Sequence, residues 1–80
     1  MAKSLDNDGI KAFGRNVRKF RQARKLSMQK LADIAEIEQS QIVRIEAGII
    51  NTKLSTILII AKALQVSPAE LFEDIDVEEY

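Results

Sequence analysis

Eighty residues allow one small domain and leave no room for a separate catalytic or ligand-sensing module. With 46% hydrophobic and 30% charged residues and neither Cys nor His, the chain is expected to be globular, without disulfides or thiolate metal sites, and without the commonest metal ligand and general base. A net charge of zero argues against non-specific coating of nucleic acid, and no apolar run of ~18 residues marks a membrane span.

Residues 1–7 are expected to form a flexible leader; the opening MAKSLDND lacks the apolar region of a secretory signal, so a cytoplasmic protein is expected. Asp8 can cap a first helix over about Gly9–Lys25, in which Ile10, Phe13, Val17 and Phe20 share a narrow arc while Arg15, Arg18, Lys19 and Gln22 lie opposite. Arg21 falls inside the apolar arc, beside Val17. Ser27 is a good N-cap for a second helix, Met28–Ala35, with Leu31, Ala32 and either Ile34 or Ala35 inward. The period breaks around Glu36-Ile37. A third helix over about Gln39–Ala47 carries Ile42, Ile45 and then Ile49 as its apolar positions, with Gly48 where a left-handed C-cap belongs. After the loop 49–53, a fourth helix, Leu54–Leu64, is expected to turn Leu54, Ile57, Leu58, Ala61 and Leu64 inward. Ser67-Pro68-Ala69-Glu70 is a complete capping box for a fifth helix reaching Phe72 or Glu73. Residues 8–73 thus form the domain, all-α and built of five short helices, and 74–80 an acidic tail.

Charge is unevenly spread along this order. Ile10 to Lys30 holds eight bases and no acid, and Glu70 to Tyr80 holds six acids and no base. Such asymmetry suits a polyanion on one surface and an interaction or solubilising segment elsewhere. Two short helices separated by a few residues, the second with a polar outer face, form a helix-turn-helix pattern at helices 2 and 3. Around the third helix the outward set is Gln39, Ser40, Val43, Arg44 and Ala47, small or hydrogen-bonding and free of carboxylates. Such a face can enter a major groove: Gln pairs with adenine, Arg with guanine, Ser with several edges, and Val with a thymine methyl. Glu46 lies instead on the inner side of its helix, as Arg21 does on the first. Two misplaced opposite charges are best explained by each other, as a buried ion pair bracing the third helix.

The stretches VRKFRQARKLSMQKLA, IEQSQIVRIEAG and LSTILIIAKALQVSPAELF resemble the phage-repressor (Cro/repressor, XRE-like) helix-turn-helix family over about Val17 to Phe72. The resemblance implies a compact five-helix, lambda-repressor-like DNA-binding domain that acts as a homodimer on a palindromic operator and regulates transcription. It also implies pairing of the residues at Arg21 and Glu46. Two departures stand out. Met28 follows the LS cap where the family often has Gln, with Gln29 one step later, and Ile49-Ile50-Asn51-Thr52 replaces the usual polar residues and Asn-Pro after Gly48.

Base reading is therefore expected from Gln39, Ser40, Val43 and Arg44. Phosphate contacts are expected from Ser27, Gln29, Lys30, Asn51 and Lys53, with the α-helical N–H groups near Ser27 contributing. Glu38 can serve as cap and favourable charge at the start of the third helix. Ile49, Ile59 and Ile60 are apolar beyond what the core requires and, with Phe72, are candidates for a subunit interface. The expected partners are double-stranded DNA and a second copy of the chain, with no membrane, metal or cofactor and no enzymatic activity. A restriction-modification controller or a phage-type repressor fits the length. The alternative is an antitoxin-like or other protein-interaction module, with DNA binding secondary.

Overall fold

The structure, a computed structural model, describes residues 5–75, with side chains from residue 8 onward. Four α-helices follow one another: α1 Leu5–Ala23, α2 Met28–Ala35, α3 Gln39–Ala47 and α4 Leu54–Leu64. A 3-10 turn, Pro68–Phe72, completes them, and no strand occurs among the described residues. The fifth element is thus not the α-helix the capping box suggested. Its bonds close over three residues instead of four, with Glu70 N–H donating to Ser67 O at 3.0 Å and Glu73 N–H to Glu70 O at 3.4 Å. The box itself is present: Glu70 N–H donates to Ser67 Oγ at 3.4 Å, and Ser67 N–H donates to Glu70 Oε2 at 2.9 Å. Residues 1–4 of the expected leader and 76–80 of the expected tail lie outside the described residues.

The start of α1 differs from the sequence reading. The helix begins at Leu5, so Leu5–Asn7 belong to it rather than to a leader, and Asp8 is inside the helix rather than its cap. Gly9 is no barrier, because a helical Gly costs only about 1 kcal/mol relative to Ala and packing of the following stripe outweighs it. The starts of α2, α3 and α4 fall where expected. Lys30 N–H donates to Ser27 Oγ at 2.9 Å. Glu38 holds the N-cap position of α3 with extended backbone but no side-chain bond, so only its charge assists that helix end.

All four helices end alike. Lys25, Glu36, Gly48 and Gln65 adopt left-handed backbone, with φ of 59, 59, 73 and 60°. The next residue's N–H then reaches back to the last turn: Leu26 to Arg21 O, Ile37 to Ala32 O, Ile49 to Arg44 O and Val66 to Ala61 O, at 3.0–3.2 Å. This motif satisfies carbonyls that would otherwise be orphaned. Leu26, Ile37 and Val66 pack back onto the core. Ile49 does not, and stays 69% exposed.

The core is one cluster. Phe13 and Val17 of α1, Leu31 and Ala32 of α2, Ile42 and Ile45 of α3, Ile60, Ala61 and Leu64 of α4, and Leu71 meet in it. On α2 it is Ala35 that turns inward, while Ile34 faces out. The face of α4 requires correction. Thr56 and Ile60 are buried, whereas Leu54 is 68% and Leu58 47% exposed. At 100° per residue, the buried set lies about 70° round the axis from the expected one. Ile60, expected at a subunit interface, is wholly inside. Period could not orient α4 because eight of its eleven residues are apolar.

The C-terminal turn is fastened to α1. Asn16 Nδ2 donates to both Leu71 O and Glu73 O at 2.8 Å, Lys19 Nζ lies 3.3 Å from Glu73 Oε1, and Phe13 stacks on Phe72 with centroids 5.7 Å apart. Asn16 is buried, and these two bonds satisfy its amide donors.

Candidate nucleic-acid interface

The turn Glu36–Glu38 carries the chain from α2 into α3. Left-handed Glu36 supplies the reversal, and Ile37 anchors it in the core. With Ile42 and Ile45 buried, the opposite side of α3 presents Gln39, Ser40, Val43, Arg44 and Ala47 to solvent. This face carries two amide- or hydroxyl-bearing residues, one base and a β-branched apolar side chain, with no carboxylate among them. Arg44 has no acidic partner among the described residues, where only Lys19–Glu73 and Arg21–Glu46 form ion pairs.

The missing carboxylate is the one turned inward. Glu46 receives Arg21 bidentately, with Nε donating to Oε2 at 2.7 Å and Nη2 to Oε1 at 3.0 Å. Arg21 Nη1 also donates to Leu26 O at 2.7 Å. The two side chains are only 9% and 4% exposed. Hydrogen bonding to Glu46 raises the Arg21 pKa above its ordinary value, its charge adds to that, and burial opposes both. The guanidinium stays charged, and its fork matches the carboxylate geometry that holds it.

The expected phosphate ligands lie on α2 and in the loop after α3. Ser27, Gln29 and Lys30 occupy the entry and first turn of α2, and all three are exposed. The Ser27 oxygen already accepts from Lys30 N–H, and Gln29 Nε2 donates to Asp33 Oδ1 at 2.8 Å. Asn51 and Lys53 are exposed in the loop after α3. Lys11, Arg15 and Arg18 form an exposed ridge along α1, free of ion pairs among the described residues.

Of the interface candidates, Ile49, Ile59 and Phe72 are exposed and Ile60 is not. Leu54 and Leu58, placed in the core by the sequence reading, join the exposed apolar set. Three further residues had no role assigned from sequence. Arg24 Nε donates to Leu64 O at 2.5 Å, tying the end of α1 to the end of α4. Asn16 fastens the C-terminal turn, and Gly14 lies buried where α1 crosses α3. The signals for the last two were a polar residue and a glycine on the inner arc of an otherwise apolar stripe.

Comparison with known proteins places this geometry. A family model described as helix-turn-helix matches residues 17–71. Over 56 residues the chain is 39% identical to the control protein C.SmaI of Serratia marcescens, spanning 70% of this chain and 67% of that one. The crystal structure of the restriction-modification controller protein C.AhdI from Aeromonas hydrophila is similar with a TM-score of 0.77 and 36% identity, over 79% of this chain and 96% of that one. A hypothetical transcription factor, NHTF, from Neisseria is similar with a TM-score of 0.78 and 28% identity, over 81% and 73%.

Proposed function

The chain belongs to the helix-turn-helix family and is a DNA-binding transcriptional regulator; from that premise we propose that it acts as a homodimer reading a palindromic operator with α3 in the major groove. The observation that carries this reading is the carboxylate-free outer face of α3, kept so because Glu46 is folded inward onto Arg21. Gln39, Ser40, Val43 and Arg44 read base edges, with Arg44 suited to guanine and Gln39 to adenine. Lys30, Asn51 and Lys53, with Ser27, Gln29 and the first N–H groups of α2, hold phosphates and set the register without reading sequence. Residues 8–73 act as the DNA-binding unit, and a cytoplasmic location suits a protein whose ligand is DNA. No described helix is long and apolar enough to cross a membrane.

The second copy covers the apolar side chains that the fold leaves out, chiefly Ile49, Leu54, Leu58 and Ile59, with Phe72 at hand. Two-fold symmetry would then set the α3 helices about 34–36 Å apart, one turn of DNA. Control of a restriction-modification operon is the regulatory role we favour, supported by the likeness to C.AhdI. The same exposed side chains also support a second reading, a module that binds a different protein and DNA only secondarily.

Fluorescence anisotropy against DNA from upstream of the protein's own gene and against a scrambled duplex, at two salt concentrations, tests the proposal. Tight binding to the upstream DNA alone, surviving the higher salt, is expected. Equal binding to both that collapses with salt would leave only counterion release and overturn it.

A further inference from the structure

The α1–α3 crossing is closer than side chains would allow. A Cβ built on Gly14 would overlap the carbonyl oxygen of Ile45 and stand 3.1 Å from that of Glu46. Both obstacles are backbone, so no rotamer change relieves them. Three residues earlier on α1, the same closeness recurs from the other side: a Cβ on Gly48 would stand 2.9 Å from Lys11 Cα. Seven residues after Gly14, Arg21 grips Glu46 through two hydrogen bonds. Lys11, Gly14 and Arg21 thus meet the last turn and cap of α3 at three successive points, within the segment Ile45–Gly48.

We propose that Gly14 is a positioning residue for base reading, its missing side chain setting how deeply α3 is seated against α1 and therefore how far the side chains of Gln39, Ser40, Val43 and Arg44 project. The inference rests on the assignment of α3 as the reading helix. Ordinary C···O contacts run at ~3.3 Å or more, so any β-carbon at position 14 displaces α3 by on the order of an ångström. The displacement runs away from α1, and bidentate base contacts do not tolerate an error of that size. Arg21 and Glu46 fix the same turn laterally, so the glycine contact sets depth and the ion pair sets rotation.

The test selects duplexes from a randomised pool with the full chain, then compares affinity for the enriched duplex and for a scrambled one. Every variant is measured at a temperature where circular dichroism shows it folded. Gly9→Ala is the control, since its methyl would meet only Ile75 Cγ2 at 3.8 Å; its preference ratio is expected to equal that of wild type. Gly14→Ala is expected to lower the ratio about tenfold or more, the worth of one bidentate base contact, with scrambled-duplex affinity and its salt dependence nearly unchanged. If Gly14→Ala is too unstable alone, the Gly9→Ala/Gly14→Ala double variant adds back helix propensity, and the comparison is made at the temperature where it is folded. Arg21→Lys probes the same clamp at its other end, keeping the charge but losing the fork, and is expected to lower the ratio as well. A preserved ratio in the position-14 variant, whatever its thermal midpoint and whatever Arg21→Lys does, would reduce the glycine contact to a structural one and overturn the proposal. A wild-type protein that enriches no sequence would instead refute the regulator reading, and the proposal with it.

Discussion

Replacing Glu46 with Ala removes both acceptors from a guanidinium that is 9% exposed and leaves it only the Leu26 carbonyl. Because the partner carboxylate is itself 4% exposed, water cannot easily take its place. Breaking a buried pair from one side costs about 3–5 kcal/mol. An 80-residue domain holds ~4–12 kcal/mol in all at 0.05–0.15 per residue, so the deficit is a large share of the total. At ~4–8 °C per kcal/mol, the thermal midpoint should fall by about 12 °C or more. Scanning by circular dichroism at fixed protein concentration measures it. The pH dependence follows from the raised Arg21 pKa. A raised folded-state value gives stability fully present below the unfolded-state pKa and lost only as pH rises through the folded one. The deficit through Arg21 should therefore be the same at about pH 7 and about pH 9, both far below that loss. Replacing the pair with two apolar side chains should restore most of the midpoint, since the charges contribute little net stability when both are present. A Glu46→Ala midpoint within ~2 °C of wild type would refute the reasoning, because surface substitutions already account for shifts of that size.

Arg44→Ala should cost about 1–3 kcal/mol of operator affinity and relax preference at one base pair, measured by anisotropy on single-base variants; an equal loss on every duplex would assign Arg44 to phosphate. Ile60→Ala should destabilise by about 2–5 kcal/mol in urea while Ile59→Ala at matched dilution costs under ~1, since the first is wholly buried and its neighbour exposed. Similar losses at the two positions would contradict the orientation of α4. Leu58→Asp should shift sedimentation from dimer to monomer without changing helix content, and an unchanged dimer would remove that face from the interface. Asn16→Ala frees two carbonyls at once and should cost about 2 kcal/mol, with faster proteolysis confined to the segment after Leu64.

Local signals carried most of the fold. The capping residue Ser27, the left-handed glycine at 48 and the apolar stripes placed α2, α3 and α4 to the residue, and Ser67 placed the start of the 3-10 turn. The Arg21–Glu46 pair was legible because each charge sits on the wrong arc of its own helix, a contradiction that one contact resolves. Other features depended on information that no window of sequence contains. The start of α1 at Leu5 overrides the Asp8-Gly9 break, and three left-handed caps use Lys25, Glu36 and Gln65, residues with no preference for that backbone. The rotation of α4 was hidden by its nearly continuous apolar surface, so Ile60 and Leu54 exchanged sides. Asn16 and Arg24 bond to carbonyls 55 and 40 residues away, which only tertiary packing brings near.

The segment Gln39–Ala47 is nine residues long, too short to hold a helix in water, so its order is lent to it by Ile42, Ile45 and Glu46 through the common core. Its remaining side chains carry almost none of that load. On the base-reading role proposed for the outer side chains, fold and specificity fall on separate positions of one short helix. Gln39, Ser40, Val43 and Arg44 can change identity while the domain stays folded, so a lineage of such chains could acquire new operators by drift at a few surface sites. The inner positions have no such freedom, because a change there loosens the core that the whole domain shares.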